Sequence, residues 1–434
     1  MTWIKNILLI MVLCLLVLGT IQKDIGVLTI KPLHGVYAST PEPALSCSSW
    51  MAGDYQEKYR LNLEDSVGFK PILVRLFNQI DYSLFSIPHA QKFILGKQGC
   101  LLGTNFIEAY TGKDFIGKRF IDEKIGYLKF LQNSLWEKKG IFFMVVFAPG
   151  KGFFNAQNIP DRYLQKQFEY TNYGYYLQRC KDEGINHIDF NRWFLDIKDT
   201  SRYVLYPKTG IHWSLYGAYL CADSLRRYLE VKLNRNLPHM ILDSIELRDK
   251  PDDADNDMGV TMNMFWDISQ PEMGYAKFHF KYDSAQPRPS ALFIGDSFYW
   301  NWYYNGFIEH TFRNKDFWYY NNEVYPEQFT SSKNVGEIDY VGTMMRQDII
   351  VLIQTNAGYG ELGYGWADLA YDYTYPGNSK VREIEQQMKA NKKWMDVITE
   401  KARTRNVSVD HMMRLDAIHI KNQELRKHPL NKSK

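Results

Sequence analysis

The sequence predicts an α/β protein built on an open parallel sheet flanked by helices, and three observations carry that reading. Ile141–Ala148, Ser290–Ser297 and Asp348–Thr355 are dominated by unbroken apolar runs, the texture of strands buried on both faces as parallel sheets require. Segments with 3.6-residue apolar spacing alternate with these runs, the mark of strand–helix units. Each run ends at polar or turn-forming residues, and in such sheets the ligand crevice lies beyond the carboxyl ends of the strands. Chemistry is therefore to be sought at Lys151, Asp189, Ser297 and Asn356.

Along the chain, Phe93–Leu102 reads as two short strands around a glycine turn. Residues 123–139 place Ile125, Leu128, Leu131 and Leu135 on one helical face and lead into the strand 141–148. A helix near 161–183 leads to the strand 185–190, and a helix from about 214 to 232 follows His212-Trp213. After Gly365 the strand texture stops. Residues 381–403 place Val381, Ile384, Met388, Met395, Ile398 and Ala402 on one face, and Ser408 caps a further helix. The boundaries are 1–22 for a signal anchor or transmembrane helix, 23–50 for a Pro-containing tether, 51–365 for the α/β domain and 366–434 for a helical appendage.

The anchor rests on the uncharged run Ile7–Ile21, which with Trp3 and Ile4 approaches the roughly 20 residues of a membrane span. Lys5 favours a cytoplasmic start, which makes the chain single-pass in the inner (cytoplasmic) membrane with the residues beyond the anchor on the periplasmic side. A net charge of +3, from 52 basic and 49 acidic side chains, gives no basic field, so no nucleic-acid partner is expected. Aromatic residues reach 15% of the chain, which fits either a dense core or sugar-facing surfaces. Beyond Cys14, the cysteines Cys47, Cys100, Cys180 and Cys221 show no zinc spacing and leave pairing open. Asp252–Gly259 has the composition of a calcium loop without its spacing, so it reads as an acidic surface loop. No metal and no cofactor are expected.

Gly295-Asp296-Ser297-Phe298 is the sharpest motif. A serine just past a buried strand, at a glycine-containing turn, projects its hydroxyl from the functional edge of the sheet. The turn that follows can offer backbone N–H groups to an oxyanion. An ordinary helix cap after a strand would look similar. A serine hydroxyl needs an adjacent imidazole to take its proton. His212, on the loop Lys208–Gly217 ahead of a helix, has the most suitable setting of the ten histidines.

With those residues in hand, the chain resembles the alginate O-acetyltransferase family of the AlgJ/AlgX type, which is SGNH-hydrolase-like. Gly295-Asp296-Ser297-Phe298 resembles the first SGNH block, and His212-Trp213-Ser214 lies upstream of it, as in that family. Leu95–Gly99 and Ala148-Pro149-Gly150-Lys151 follow in family order, so the likeness spans roughly 70–360. It implies a flavodoxin-like α/β fold and transfer of an acetyl or similar acyl group to polysaccharide hydroxyls outside the cytoplasm. It also implies a serine-ester intermediate and a membrane-bound O-acyltransferase as partner. Ser297 is the expected nucleophile and His212 the expected base. The family writes Asp-x-His-Trp, whereas Gly210 stands at the Asp position here. Asp189 is the expected substitute for orienting the imidazole, with Thr209, a carbonyl or a water as weaker ones; Asp296 is expected to brace the turn. Lys151, Trp213, Asn356, Trp300 and Asn301 are the expected substrate-binding residues. A glycan O-acetylesterase using the same pair, or a degenerate glycan-binding or assembly subunit, are the alternatives.

Overall fold

The structure, a computed structural model, describes residues 2–35, 40–90, 92–281, 288–325, 333–375 and 379–427. The chain divides into two compact units, Met1–Leu95 with Asn256–Ser269, and Gly96–Asp255 with Gln270–Lys434. The expected tether includes residues 36–39, which lie outside the described residues.

The first unit is helical, with α-helices Thr2–Ile25, Cys47–Ala52, Asp54–Ser66 and Lys70–Phe85, and ends in the short strand β1 (Phe93–Leu95). The expected membrane helix finds no support among the described residues. Among the described residues no helix is long and apolar enough to cross a membrane. The uncharged run Ile7–Ile21 supplies about 22 Å of helix at 1.5 Å per residue, against about 30 Å of hydrocarbon. The far end of Thr2–Ile25 is also engaged by protein. Gly68 N donates to Gly19 O at 3.3 Å, and a Cβ on Gly68 would lie 2.5 Å from Lys23 N, so only glycine allows that approach. Gln22 is buried, and its side-chain amide bonds the Leu28 backbone, turning the chain back.

The second unit carries the remaining strands: β2 (Leu101–Gly103), β3 (Phe142–Ala148), β4 (His187–Asp189), β5 (His239–Arg248), β6 (Met273–Lys281), β7 (Ala291–Gly295), β8 (Asp316–Tyr319), β9 (Glu323–Val324), β10 (Lys333–Asn334) and β11 (Ile349–Thr355). The central sheet runs β10-β9-β8-β7-β11-β3-β4. From β8 to β4 all pairs are parallel, with Val351 opposite both Met144 and Phe293, but β9 and β10 pair antiparallel. The sheet is therefore mixed, not wholly parallel. The reversal comes from the tight turn after β8, where Tyr320 and Asn321 take φ of 52° and 48° and fold the chain into a hairpin.

Alternation along the strands separates two cores. Phe143, Val145, Phe147, Leu292, Ile294, Ile350 and Leu352 face one side, packed by Ile125, Leu128 and Leu131 of helix Lys118–Lys139. Met144, Val146, Phe293, Val351 and Ile353 face the other, covered by helices Leu215–Leu233 and Phe298–Tyr304 and by the β5–β6 hairpin. Both faces are buried, which is why these strands read as unbroken apolar runs. Four C-terminal helices, Trp366–Thr374, Ser379–Ala390, Lys392–Arg405 and Val409–Lys427, join the first core through Trp366, Val381, Met388, Ile398 and Met412.

Candidate active site

The carboxyl ends of β7, β11 and β3 place Ser297, Thr355 and Gly150 along one edge of the sheet. At the end of β7 the backbones nearly touch. A Cβ on Gly295 would lie 1.8 Å from Ile353 O, so glycine is required there, and Asp296 N donates to Ile353 O at 3.3 Å. The chain then turns out of the sheet, and Ser297 opens the helix Phe298–Tyr304.

His212 arrives on the loop before helix Leu215–Leu233. Ser214 caps that helix, accepting from Gly217 N at 2.9 Å and donating to Val204 O at 2.6 Å. Asp255 receives Leu215 N at 3.1 Å. Asp255 is fully buried, so this part of the acidic segment is a helix support and not the surface loop expected. Trp213 is fully buried against Phe298 and Trp302, and Phe298 also meets the His212 ring at 4.9 Å. The packing of one phenylalanine thus ties the histidine loop to the serine helix.

Through these supports His212 Nε2 lies 2.8 Å from Ser297 Oγ, across 85 positions of sequence. The two side chains line a cleft of about 260 Å³ with Asn105, Asp296, Thr355, Tyr320 and Tyr364. Asp296 is buried, and its carboxylate accepts Phe298 N at 3.1 Å and Thr355 N at 2.8 Å. Burial pushes its carboxyl up to about 6, against the pull of those N–H groups and of the His212 charge. Tyr320 interacts with the Ser297 hydroxyl, and burial drives its phenol well above its ordinary range, so it stays an O–H donor. Tyr320 and Tyr364 both hold left-handed backbones, with φ of 52° and 51°, and their rings meet edge to face at 4.7 Å. Sequence reasoning missed both tyrosines, because neither sits in a motif and only the hairpin turn and the loop after β11 bring them in.

Several expected residues lie elsewhere. Asp189 caps helix Phe190–Ile197 through Arg192 N and accepts the Tyr173 hydroxyl at 2.8 Å; none of its hydrogen bonds goes to His212. Lys151 is fully buried, and its ammonium donates to Lys208 O at 2.9 Å and to Gly210 O, bracing the histidine loop. Asn356 is buried against Gly150, where a Cβ would overlap its amide, and donates to Asn191 Oδ1 at 3.3 Å. Asn301 and Trp213 are buried, and half-buried Trp300 packs among Phe317, Tyr319 and Tyr325. Shielded in this way, Lys151, Trp213, Asn356 and Asn301 support the site from behind and do not line the cleft. Gly210 has no room for the family's aspartate, since a Cβ would stand 2.5 Å from the Pro207 ring and 2.8 Å from Asp255 O.

Among the described residues no cluster of His, Cys, Asp or Glu could hold a metal, and Cys47, Cys100, Cys180 and Cys221 are free thiols.

No curated protein sequence matches the chain. Among solved structures, the O-acetyltransferase domain of Pseudomonas putida AlgJ is 11% identical, over 65% of this chain and 99% of that one, with a TM-score of 0.42. Pseudomonas aeruginosa AlgX is 13% identical, over 66% and 71%, also at 0.42. Bacillus cereus PatB1 with a sulfonyl adduct is 12% identical, over 57% and 92%, at 0.37. The family model described as the SGNH hydrolase-like domain of the acetyltransferase AlgX matches residues 110–315, which contain both His212 and Ser297. By that match residues 110–315 are similar to the SGNH-like acetyltransferase domain of AlgX.

Proposed function

We propose that the protein is a serine-dependent O-acetyltransferase acting on polysaccharide hydroxyls outside the cytoplasm. The observation that carries this is the 2.8 Å contact of Ser297 Oγ with His212 Nε2 in an accessible cleft at the sheet edge. His212 takes the Ser297 proton as Oγ attacks the acetyl carbonyl of the donor, and returns it to the leaving group when the tetrahedral intermediate collapses to a serine ester. A sugar hydroxyl then attacks that ester, passing its proton to His212, which returns it to Ser297 Oγ as that oxygen leaves and the product ester forms. The donor's acyl group would come from a membrane-bound O-acyltransferase. The Tyr320 hydroxyl, which lines the cleft with Ser297 and His212, is assigned to hold the oxyanion. The buried Asp296 charge supports the imidazolium electrostatically, in place of the aspartate that Gly210 cannot be. Lys151 and Asn356 act as positioning residues.

The test is hydrolysis of an activated acetate ester together with acetyl transfer to oligosaccharides. Ser297→Ala and His212→Ala are expected to lose at least ~10³-fold in kcat, and Tyr320→Phe roughly 10–100-fold, with folding unchanged. Parent-like turnover by Ser297→Ala would remove the catalytic reading. Release of acetate only, with none on any sugar, would make the enzyme an esterase.

A further inference from the structure

The sheet has a second cavity at its opposite end. It measures about 320 Å³, within the range of about 300–1,000 Å³ typical of small-ligand pockets. Buried Ile141, Phe142 and Phe143, at the amino end of β3, line its base, and helix Lys118–Lys139 supplies one wall. β3 is seven residues long, so about 20 Å of strand separates this cavity from the edge that carries Ser297.

Trp136 stands on that wall and is 55% exposed, whereas Trp213, Trp302, Trp318 and Trp366 are fully buried. It takes no part in the apolar face of its helix, where Ile125, Leu128, Leu131 and Leu135 pack the sheet. Asn133 is three residues from Trp136 and four from Glu137, so the three share one helix face. Asn133 and Glu137 are exposed, and neither side chain has a hydrogen bond or ion pair among the described residues. Lys232 lines the cavity from helix Leu215–Leu233, is exposed, and pairs with no carboxylate among the described residues. Asn186 is fixed: its backbone N–H donates to Gln132 Oε1 at 2.8 Å and its Nδ2 to Phe143 O at 3.2 Å, which leaves Oδ1 available as an acceptor.

One carboxylate and one ammonium cancel, so the cavity has no net charge to select an ion. What it offers is a flat apolar face ringed by donors and acceptors. A pyranose ring matches that description. Its axial C–H bonds are apolar and slightly positive and suit the negative face of an indole, while its hydroxyls both donate and accept. We propose that this cavity binds an uncharged pyranose unit of a polysaccharide, stacked on Trp136 with its hydroxyls on Asn133, Glu137, Asn186 and Lys232. Held there, a polymer keeps its hydroxyls at a raised local concentration near the cleft without occupying it. The polymeric nature of the ligand rests on the acyl-transfer reading, but the test does not depend on turnover.

The full chain is titrated calorimetrically, without acyl donor, with hexasaccharides of glucose, mannose, galactose and N-acetylglucosamine. Sorbitol, which has the hydroxyls but no ring face, is the control. At least one hexasaccharide is expected to bind about tenfold or more tighter than sorbitol. Trp136→Ala should weaken that binding about tenfold or more, and Trp136→Phe, which keeps a smaller ring, should weaken it less. Raising the salt from about 50 to 200 mM should leave it unchanged, a readout made on the unaltered chain. Binding of every hexasaccharide no tighter than sorbitol, binding insensitive to Trp136→Ala, or binding weakened by salt would overturn the proposal. Because no acyl group moves in these titrations, a failure here is separate from a failure of the ester-hydrolysis assay.

Discussion

Burial raises the Asp296 carboxyl to about 6 while two backbone N–H groups and the His212 charge pull it back. Its folded value exceeds the unfolded one, so its stability contribution is fully present below about pH 4 and lost as pH rises through about 6. The loss amounts to about 3 kcal/mol. Activity should run the other way, since only the ionised carboxylate supports the imidazolium. We therefore expect kcat/KM for an acetate ester to climb through about pH 6 while urea-unfolding stability falls over the same window. Asp296→Asn should flatten the stability slope; a slope unchanged by that substitution would refute the assignment. Gly210 gives a second residue-scale prediction. Restoring the family's aspartate by Gly210→Asp should lower ester hydrolysis and the melting temperature, because its Cβ meets the Pro207 ring and Asp255 O. A gain in kcat would show that the missing carboxylate is simply absent and not sterically excluded.

Among the elements, the helix after His212 was readable because its cap, Ser214, adjoins a run of apolar positions. The helix expected near 161–183 instead begins at Asn172, where the Thr171 side chain accepts Gly174 N at 3.0 Å and caps it. The single face read over 381–403 is two helices, because Asn391 caps a new one through Trp394 N. What joins these C-terminal helices to the sheet was not legible at all. Lys124 of helix Lys118–Lys139 is buried with Asp368 and Asn422, residues some 244 and 298 positions away. Lys124→Ala strands a buried carboxylate and is expected to cost about 3–5 kcal/mol in urea unfolding. Lys124→Met with Asp368→Leu should recover most of it. A double variant no more stable than Lys124→Ala would mean that the pair itself, and not the stranded charge, carries the stability.

For the whole molecule, the C-terminal helices complete the core on one sheet face. Val381, Ile384, Met388, Ile398, Met412 and Ala417 are all buried in the cluster that contains Leu352 and Phe143. A chain ending at residue 378 should consequently aggregate or lose its cooperative melt by circular dichroism. A monomeric truncation with the parent's melting temperature would show that these helices are an independent appendage.

The α/β class and the Ser297 and His212 pair were legible in the amino-acid order, because strand burial and helix caps are written in neighbouring residues. So were the limits of the long strands, which fall within one or two residues of those expected. The antiparallel edge, the β5–β6 hairpin, the division into two units and the tyrosines at the cleft were not. Nor was the fate of Lys151, Asn356 and Asp189, which sit at strand ends as expected yet turn inward or cap a helix. Local order dictates which backbone an element adopts, whereas the surroundings of a side chain depend on contacts with segments tens to hundreds of positions away. Those contacts exist only once the sheet has closed over both of its cores.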